Sequence, residues 1–523
     1  MLGPSECWNY IKKKLKPEWK AAFLSAFILG ILIHMPMMLR DIPNHDGLDS
    51  MHFDQNMITS GRWFLTVACG ISSYFTLPWL IGLLSLLYLA LTSAVLVEFL
   101  EVKKTSTVVL ISGLLVSFPA IASTFAYVFT MDGYMMALFL AVLSVLLTKK
   151  YRFGFLPGAL CLALSMGIYQ AYLPFAILLC IYGILMIAME ENTADGKEKV
   201  AIDLKNKSIR SLRYLYMGIM GAAGYYVILQ ILLKIQGKEL ASYQGIQDMG
   251  TVERAGIFEI LIKMYKDFFA FTVKGNVVFN NLYSLLAVCG LALILAVLLI
   301  RLMLQKKWWR SIWFYVLIGV LVVGLPVSTN IILFISPDVT YHVLMRYQWV
   351  LYPILIIGFA DRFGTCGRKA WKEWGILLAA AVLIWNYTVT DHIAYSNLQK
   401  KYEKTYAYCV RLLDRIEQTE GYYQGIPIAM IGVVGEESFP VTDITTPVTS
   451  GLIGMSGDYL LYTGNNYELF LEHYLGATLN ILPADSMAEM YYSKEYREMG
   501  SFPMADSIRI IDGIMYIKTE NVE

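Results

Sequence analysis

Apolar runs of about twenty residues recur along this chain, from Ala21–Leu39 to the stretch that ends near Thr390. A helix rises about 1.5 Å per residue, so crossing a hydrocarbon core of about 30 Å takes roughly 20 apolar residues. Within lipid every backbone N–H and C=O must find its partner inside the protein, and runs of this length do so as helices. Spans are expected near 21–39, 77–98, 108–126, 133–148, 154–169 and 172–189, then near 214–233, 282–304, 311–335, 345–361 and 373–390. That makes about eleven. The pair across 154–189 is divided only by a short turn at Tyr169–Tyr172. Composition agrees: 57% of residues are hydrophobic and 16% charged, whereas a soluble chain carries about 25% charge. Too little charge remains to clothe a surface that faces only water. A basic tail (Lys12, Lys13, Lys14, Lys16, Lys20) precedes the first run, as in a signal peptide. The run is too long for one and no small-x-small cleavage site follows, so it reads as a retained helix.

Lysine and arginine set the orientation. They collect in the N-terminal tail and around Lys103–Lys104, Lys149–Arg152, Lys197–Arg213, Arg301–Arg310 and Arg362–Lys372. These are alternate loops, so they share one side, the cytoplasm. Residues 40–76, 127–132, 234–281, 336–344 and the C-terminal tail fall on the other. An odd number of spans places the C-terminus outside, in agreement. The near-neutral balance, net charge +1, without a strongly basic stretch, argues against a nucleic-acid partner. Seven scattered cysteines form no C-x-x-C pair, and no disulfide framework or zinc site is indicated.

Two segments depart from the spanning pattern. Over 256–275, Ile257, Ile260, Leu261, Met264, Phe268 and Phe271 recur at helical spacing, with Glu259, Lys263, Lys266 and Asp267 opposite. This is an amphipathic helix, either lying in the outer interface or packed on the protein's own loops. After Asn386 the composition changes. Residues 397–420 predict a charged amphipathic helix, Ile426–Gly435 a buried strand, and 466–477 and 485–498 two helices. Asp512-Gly513 between two short apolar runs predicts a terminal hairpin. The expected organisation is therefore a cytoplasmic tail (1–20), an all-α polytopic membrane bundle (21–390) with outer loops 40–76 and 234–281, and a small extracytoplasmic α/β domain (391–523).

The first outer loop carries the most chemistry. Residues 40–64 gather Asp41, Asp46, Asp49, Asp54, His45, His52, Arg40 and Arg62, with Trp63 beside the last. An outer loop is also polar because it is wet. Carboxylates with an arginine at a lipid boundary, however, suit transfer from a phosphorylated lipid. A carboxylate takes the proton of an acceptor hydroxyl, and a guanidinium holds a phosphate leaving group in bidentate fashion. Asp132 stands where the chain re-enters the membrane on the same side, either as a second acid or as a helix cap. Arg346, flanked by His342 and Tyr347, is either a second phosphate ligand or a snorkelling side chain. Tyr169, Gln170 and Tyr172 form a polar-aromatic turn at the same face. That the four features share a face points to a transferase acting on a lipid-linked sugar, because nucleotide sugars are lacking outside the cell.

The chain resembles the bacterial and phage O-antigen glucosyltransferases of type II, multispanning enzymes of the GT-C superfamily. NHDGLDSMHFDQNMITSGRWFL, FAYVFTMDGYMMAL, LSMGIYQAYLPFAI, RYQWVLYP and SFPMADSIRIIDGIMYIK carry the resemblance over nearly the whole sequence. It implies a GT-C-like bundle in the bacterial cytoplasmic membrane, a polyprenyl-phosphate-linked hexose donor (glucose) and a cell-surface glycan acceptor. A first-loop acid is then the expected base. Members often carry adjacent acids there, whereas this chain has Asn44-His45-Asp46, which makes Asp46 the first candidate and Asp49 or Asp41 reserves. Asp132 becomes the second acid, and Arg62 and Arg346 the donor-phosphate ligands. Asp41, His45, Trp63, Tyr169, Gln170, Tyr172, His342 and Tyr347 become substrate contacts. Several acids leave room for a divalent cation, though no spacing demands one. Two alternatives remain open. One is a transporter or flippase of lipid-linked glycans, which the few interior charges disfavour. The other is a different GT-C enzyme such as a polymerase, ligase or mannosyltransferase.

Overall fold

A computed structural model describes residues 3–190, 197–241, 254–306, 312–337, 339–363, 370–431, 452, 460–461 and 464–519. The chain is mostly helical, with a small sheet near its C-terminus. Among the described residues, seven helices are long and apolar enough to cross a membrane: Pro17–Met38, Pro78–Leu100, Val128–Lys150, Gln170–Met189, Lys205–Gln236, Leu282–Gln305 and Trp371–Glu417. An eighth span results if Thr105–Ser117 and Pro119–Phe125, bent by 42°, are taken as one. The cause of the bend is local. Pro119 lacks the N–H that would continue the ladder and forces Phe118 into an extended conformation (φ −68°, ψ 130°).

The eleven expected spans are therefore not eleven full-length helices. Phe155–Ile168 has 14 residues, about 21 Å, and is shorter than a hydrocarbon core. The expected span at 345–361 is built from the turns Val343–Met345 and Tyr347–Val350 and the helix Leu351–Phe363. That at 311–335 is Ile312–Thr329 followed by the single turn Ile332–Ile335. Hydropathy reports how apolar a run is, not whether its backbone keeps one direction. The turn dividing 154–189 is present: Tyr169 is extended, Gln170–Tyr172 forms one 3-10 turn, and Pro174 opens the next helix. Leu24, Ile28 and Leu32, four residues apart on the first spanning helix, are each more than half exposed. Such an apolar stripe suits lipid, not water.

Helix Ala370–Glu417 runs 48 residues without a break, about 72 Å, so the expected domain boundary at 390 falls inside one continuous rod. Its far half packs under the small sheet. The strands are β1 (Pro427–Ile431), β2 (Asn480–Ile481), β3 (Ile508–Ile511) and β4 (Ile514–Lys518), in the order β2-β1-β4-β3. β1 is parallel to β2 and β4, and β3 is antiparallel to β4. The expected terminal hairpin is there, with Asp512 and Gly513 both at positive φ (51° and 80°), as a two-residue type I′ turn requires. Side chains alternate across the sheet. Ile428, Met515 and Ile517 face Tyr408, Leu412 and Ile416 of the long helix, while Ala429 and Tyr516 face Met487 and Tyr496. The run Gly432–Gly435 after β1 lies outside the described residues.

The sheet domain rests on the first loop. Leu48 is buried in the domain's own core. Asn465 Nδ2 donates to Asp49 at 2.7 Å and the Tyr474 hydroxyl to Asp41 at 3.1 Å. The amphipathic helix spans Arg254–Lys274 and is packed on protein. Ile260 and Met264 are buried against Ile332, Leu333 and Val339, while Phe258, Phe269 and Val273 are exposed.

Candidate functional site

Loop 40–76 is a folded object. Its arms pair at Phe53 N–H to Tyr74 O and Thr76 N–H to Met51 O, and a five-residue helix, His45–Asp49, is capped by Asn44, whose side chain accepts from Gly47 N–H at 2.7 Å. Gly61 adopts φ +75°, a conformation costly for a residue with a Cβ. The turn aims Arg62 and Trp63 inward. A Cβ on Gly61 would fall 2.5 Å from Gln170 Nε2 and from the Tyr225 hydroxyl. These two groups clamp the turn: Gln170 Nε2 donates to Ser60 O (3.3 Å) and to Tyr225 Oη (2.9 Å), and the Tyr225 hydroxyl donates to Gly61 O (3.1 Å). Trp63 is buried and lies over Gly167, where a Cβ would come within 2.6 Å of the indole. Phe64 N–H binds Gly167 O at 2.7 Å. The sequence elements Gly61-Arg62-Trp63 and Tyr169-Gln170 are thus in direct contact.

Arg62 emerges from this clamp over a tyrosine floor. Its Nη1 donates to the Tyr134 hydroxyl at 3.1 Å and its guanidinium carbon stands 5.1 Å from the Tyr169 ring centre. Tyr134 and Tyr169 stack 4.1 Å apart, nearly parallel. Ring contacts continue from Tyr169 to Tyr172 and from Tyr172 to Tyr347, and both of the latter are fully buried. Tyr347 donates to Leu115 O. These deep rings are walls of the bundle, whereas Arg62, above the buried Tyr169, is half-buried.

Arg346 is committed elsewhere. Its two terminal nitrogens donate to the two oxygens of Asp267 at 2.6 and 2.8 Å, and Nε donates to Tyr341 O at 2.9 Å. The guanidinium carbon is 3.9 Å from the Tyr341 ring centre and 4.5 Å from that of Phe271. Asn330 donates a further hydrogen bond to Asp267 at 3.0 Å. The side chain does not snorkel outward: it is 8% exposed and latches the amphipathic helix to the bundle. His342 directly precedes this segment and is half-buried.

The acids separate by what they touch. Asp41 and Asp49 hold the sheet domain. Loss of surrounding water raises the Asp41 carboxyl above its ordinary range, while the Tyr474 hydrogen bond pulls it down; Tyr474 is raised by the same burial and by that carboxylate. Asp132 is 1% exposed. It occupies the first turn of helix Met131–Lys150 and accepts from Gly133 N–H at 2.8 Å, whereas Thr130 holds the cap position. It is therefore an inward-facing acid at a helix N-terminus, where the macrodipole favours negative charge, with Cys69 and Ser72 against it. Asp46 keeps 55% of its side chain exposed and has His45 Nε2 at 3.4 Å. Among the described residues, no three His, Cys, Asp or Glu side chains converge as a metal site would require.

The sequence model of a family described as glucosyl transferase GtrII matches residues 35–359. The chain belongs to the glucosyl transferase GtrII family. No curated protein and no solved structure matches it. The matched interval holds the first loop, Arg62 with its tyrosine floor, Asp132 and the Arg346 latch, while the sheet domain lies beyond it. The family's description gives glucosyl transfer as the reaction class of the chain. Tyr134, Tyr225, Tyr341 and Asp267 carry no mark of a site residue in the sequence. Tyr134 and Tyr225 sit within apolar runs, and Asp267 reads as one more charge on a polar helix face.

Proposed function

We propose that this glycosyltransferase passes glucose from a polyprenyl-phosphate donor to a surface glycan on the outer side of the bacterial cytoplasmic membrane. Lysine and arginine collect on alternate loops, which supports that side for loop 40–76 and for the sheet domain resting on it. The observation that carries the reading is the division of labour in loop 40–76. Arg62 is preorganised over Tyr134 and Tyr169, while Asp46 is left open on the same loop. In this reading the lipid tail stays in the bilayer and the donor phosphate meets Arg62. Asp46 takes the proton of an acceptor hydroxyl, whose oxygen bonds to the sugar C1 as the C1–phosphate oxygen bond breaks. The electron pair leaves with the polyprenyl phosphate, whose charge the guanidinium stabilises. Asp132 acts as a positioning residue beneath loop residues 65–72, and Tyr169, Gln170 and Trp63 shape the sugar pocket. Because Asp267 occupies Arg346, the phosphate role falls first to Arg62.

The test is Asp46→Asn, assayed with purified polyprenyl-phosphate glucose and acceptor glycan. Loss of a general base lowers turnover by about 10²–10⁴-fold, and an exposed side chain leaves insertion and thermal stability unchanged. Turnover equal to the native protein would remove Asp46 from the role.

A further inference from the structure

The opposite end of the helices, away from loop 40–76, holds a feature that sugar transfer does not use. Two neighbouring cavities with shared lining residues lie where Pro78–Leu100, Val128–Lys150, Gln170–Met189 and Lys205–Gln236 end. The larger, about 360 Å³, is lined by Lys16, Lys103, Lys149, Lys150 and Arg210 with Glu18, Glu98 and Glu101. The smaller, about 40 Å³, shares Glu101, Lys149 and Arg210 and adds Arg213, Arg362 and Glu190. Seven cations thus face four carboxylates in a chain whose net charge is only +1.

Internal pairing does not use up this charge. Glu98 takes Lys16 (2.7 Å) and Lys150 (3.1 Å), Glu101 takes Lys149 (2.8 Å) and Arg362 (2.9 Å), and Glu190 takes Arg210 (2.6 Å). Among the described residues Lys103 and Arg213 make no hydrogen bond or ion pair. A second observation is independent of charge. Tyr182 is 7% exposed, lines the smaller cavity, and its hydroxyl has no hydrogen-bond partner among the described residues. A buried hydroxyl without a partner is unfavourable, and a ligand acceptor would relieve it. The lining also includes Leu146, Met186 and Ile187, so apolar and cationic walls adjoin at the membrane boundary.

We propose that this is a binding site for the phosphate headgroup of an anionic membrane lipid, with Arg213 and Lys103 as charge partners and Tyr182 donating to a phosphate oxygen. The apolar walls take the first methylenes of the acyl chains, a feature a soluble anion does not need. Basic pockets between spanning helices on the cytoplasmic side recognise such headgroups.

The test uses the full chain in nanodiscs of phosphatidylcholine with or without cardiolipin, reading retained lipid by native mass spectrometry and stability by thermal unfolding. The native protein is expected to retain cardiolipin and gain stability from it. Lys103→Gln with Arg213→Gln should weaken retention at least tenfold, and Tyr182→Phe severalfold. Neither change removes an internal bond, so stability in phosphatidylcholine alone should match the native protein. Equal cardiolipin retention by native and doubly substituted protein overturns the proposal. So does equal retention of phosphatidylcholine, or the same stabilisation by inorganic phosphate without anionic lipid, which would mark a soluble-anion site.

Discussion

Asp267→Asn tests whether Arg346 is a latch. In the native protein the guanidinium makes two charge-assisted bonds of 2.6 and 2.8 Å to Asp267, and the two side chains are 8% and 24% exposed. Removing one member of a buried ion pair strands the other, which costs about 3–5 kcal/mol. Two features reduce this. Asp267 is partly wet, and an asparagine carbonyl still accepts one of the two bonds. The ring contacts of Arg346 with Tyr341 and Phe271 exist before and after the change, so they cancel. The expected loss is about 2–3 kcal/mol, read as unfolding free energy of the purified protein in detergent. Hydrogen exchange should quicken in residues 254–274. Replacing both partners, Asp267→Leu with Arg346→Met, should cost less than Asp267→Asn alone, because no charge is then stranded. A loss below about 0.5 kcal/mol for Asp267→Asn, within the range of ordinary surface changes, would refute the latch.

Two further outcomes follow from the loop. Gly61→Ala places a Cβ at φ +75° and 2.5 Å from both clamping groups. The backbone cost alone is about 1–2 kcal/mol, so transferase activity should fall about tenfold or more as Arg62 loses its seat; unchanged activity would detach the clamp from function. Asn465→Ala with Tyr474→Phe removes two hydrogen bonds to Asp49 and Asp41, each about 0.5–1.5 kcal/mol. Faster hydrogen exchange in residues 41–50 with an unchanged sheet core is the expected result, and protection equal to native would show that Leu48 alone holds the contact.

Local chemistry was legible where it is carried by neighbours in sequence. Asp512-Gly513 announced its hairpin, and Gly61-Arg62-Trp63 and Tyr169-Gln170 stood out against the apolar background. What could not be read was their meeting. Gln170 reaches Ser60 across 110 positions and Tyr225 reaches Gly61 across 164, and one sequence has no signal for such pairs. Burial also hides polarity inside apolar runs. His34, in the first spanning helix, is fully buried and lies 2.5 Å from the Tyr395 hydroxyl and 2.8 Å from Val116 O. Nothing in its flanking residues marks it. The amphipathic segment was legible as a helix, but Asp267, grouped with its polar face, turns inward to Arg346. Periodicity assigns a side to a residue and cannot say that the partner on the other side is an arginine.

The unbroken helix Ala370–Glu417 has a consequence in angle. With 3.6 residues per turn, each residue inserted in a rigid helix rotates everything beyond it by 100° and lifts it by 1.5 Å. A single alanine added between Thr390 and Tyr402 would therefore swing Asn465 and Tyr474 away from Asp49 and Asp41, although no contacting residue had changed. Seven added residues, close to two full turns, would restore the heading but raise the domain by about 10 Å. The helix thus makes length a coded quantity: loop and sheet stay in phase only at the spacing this chain has.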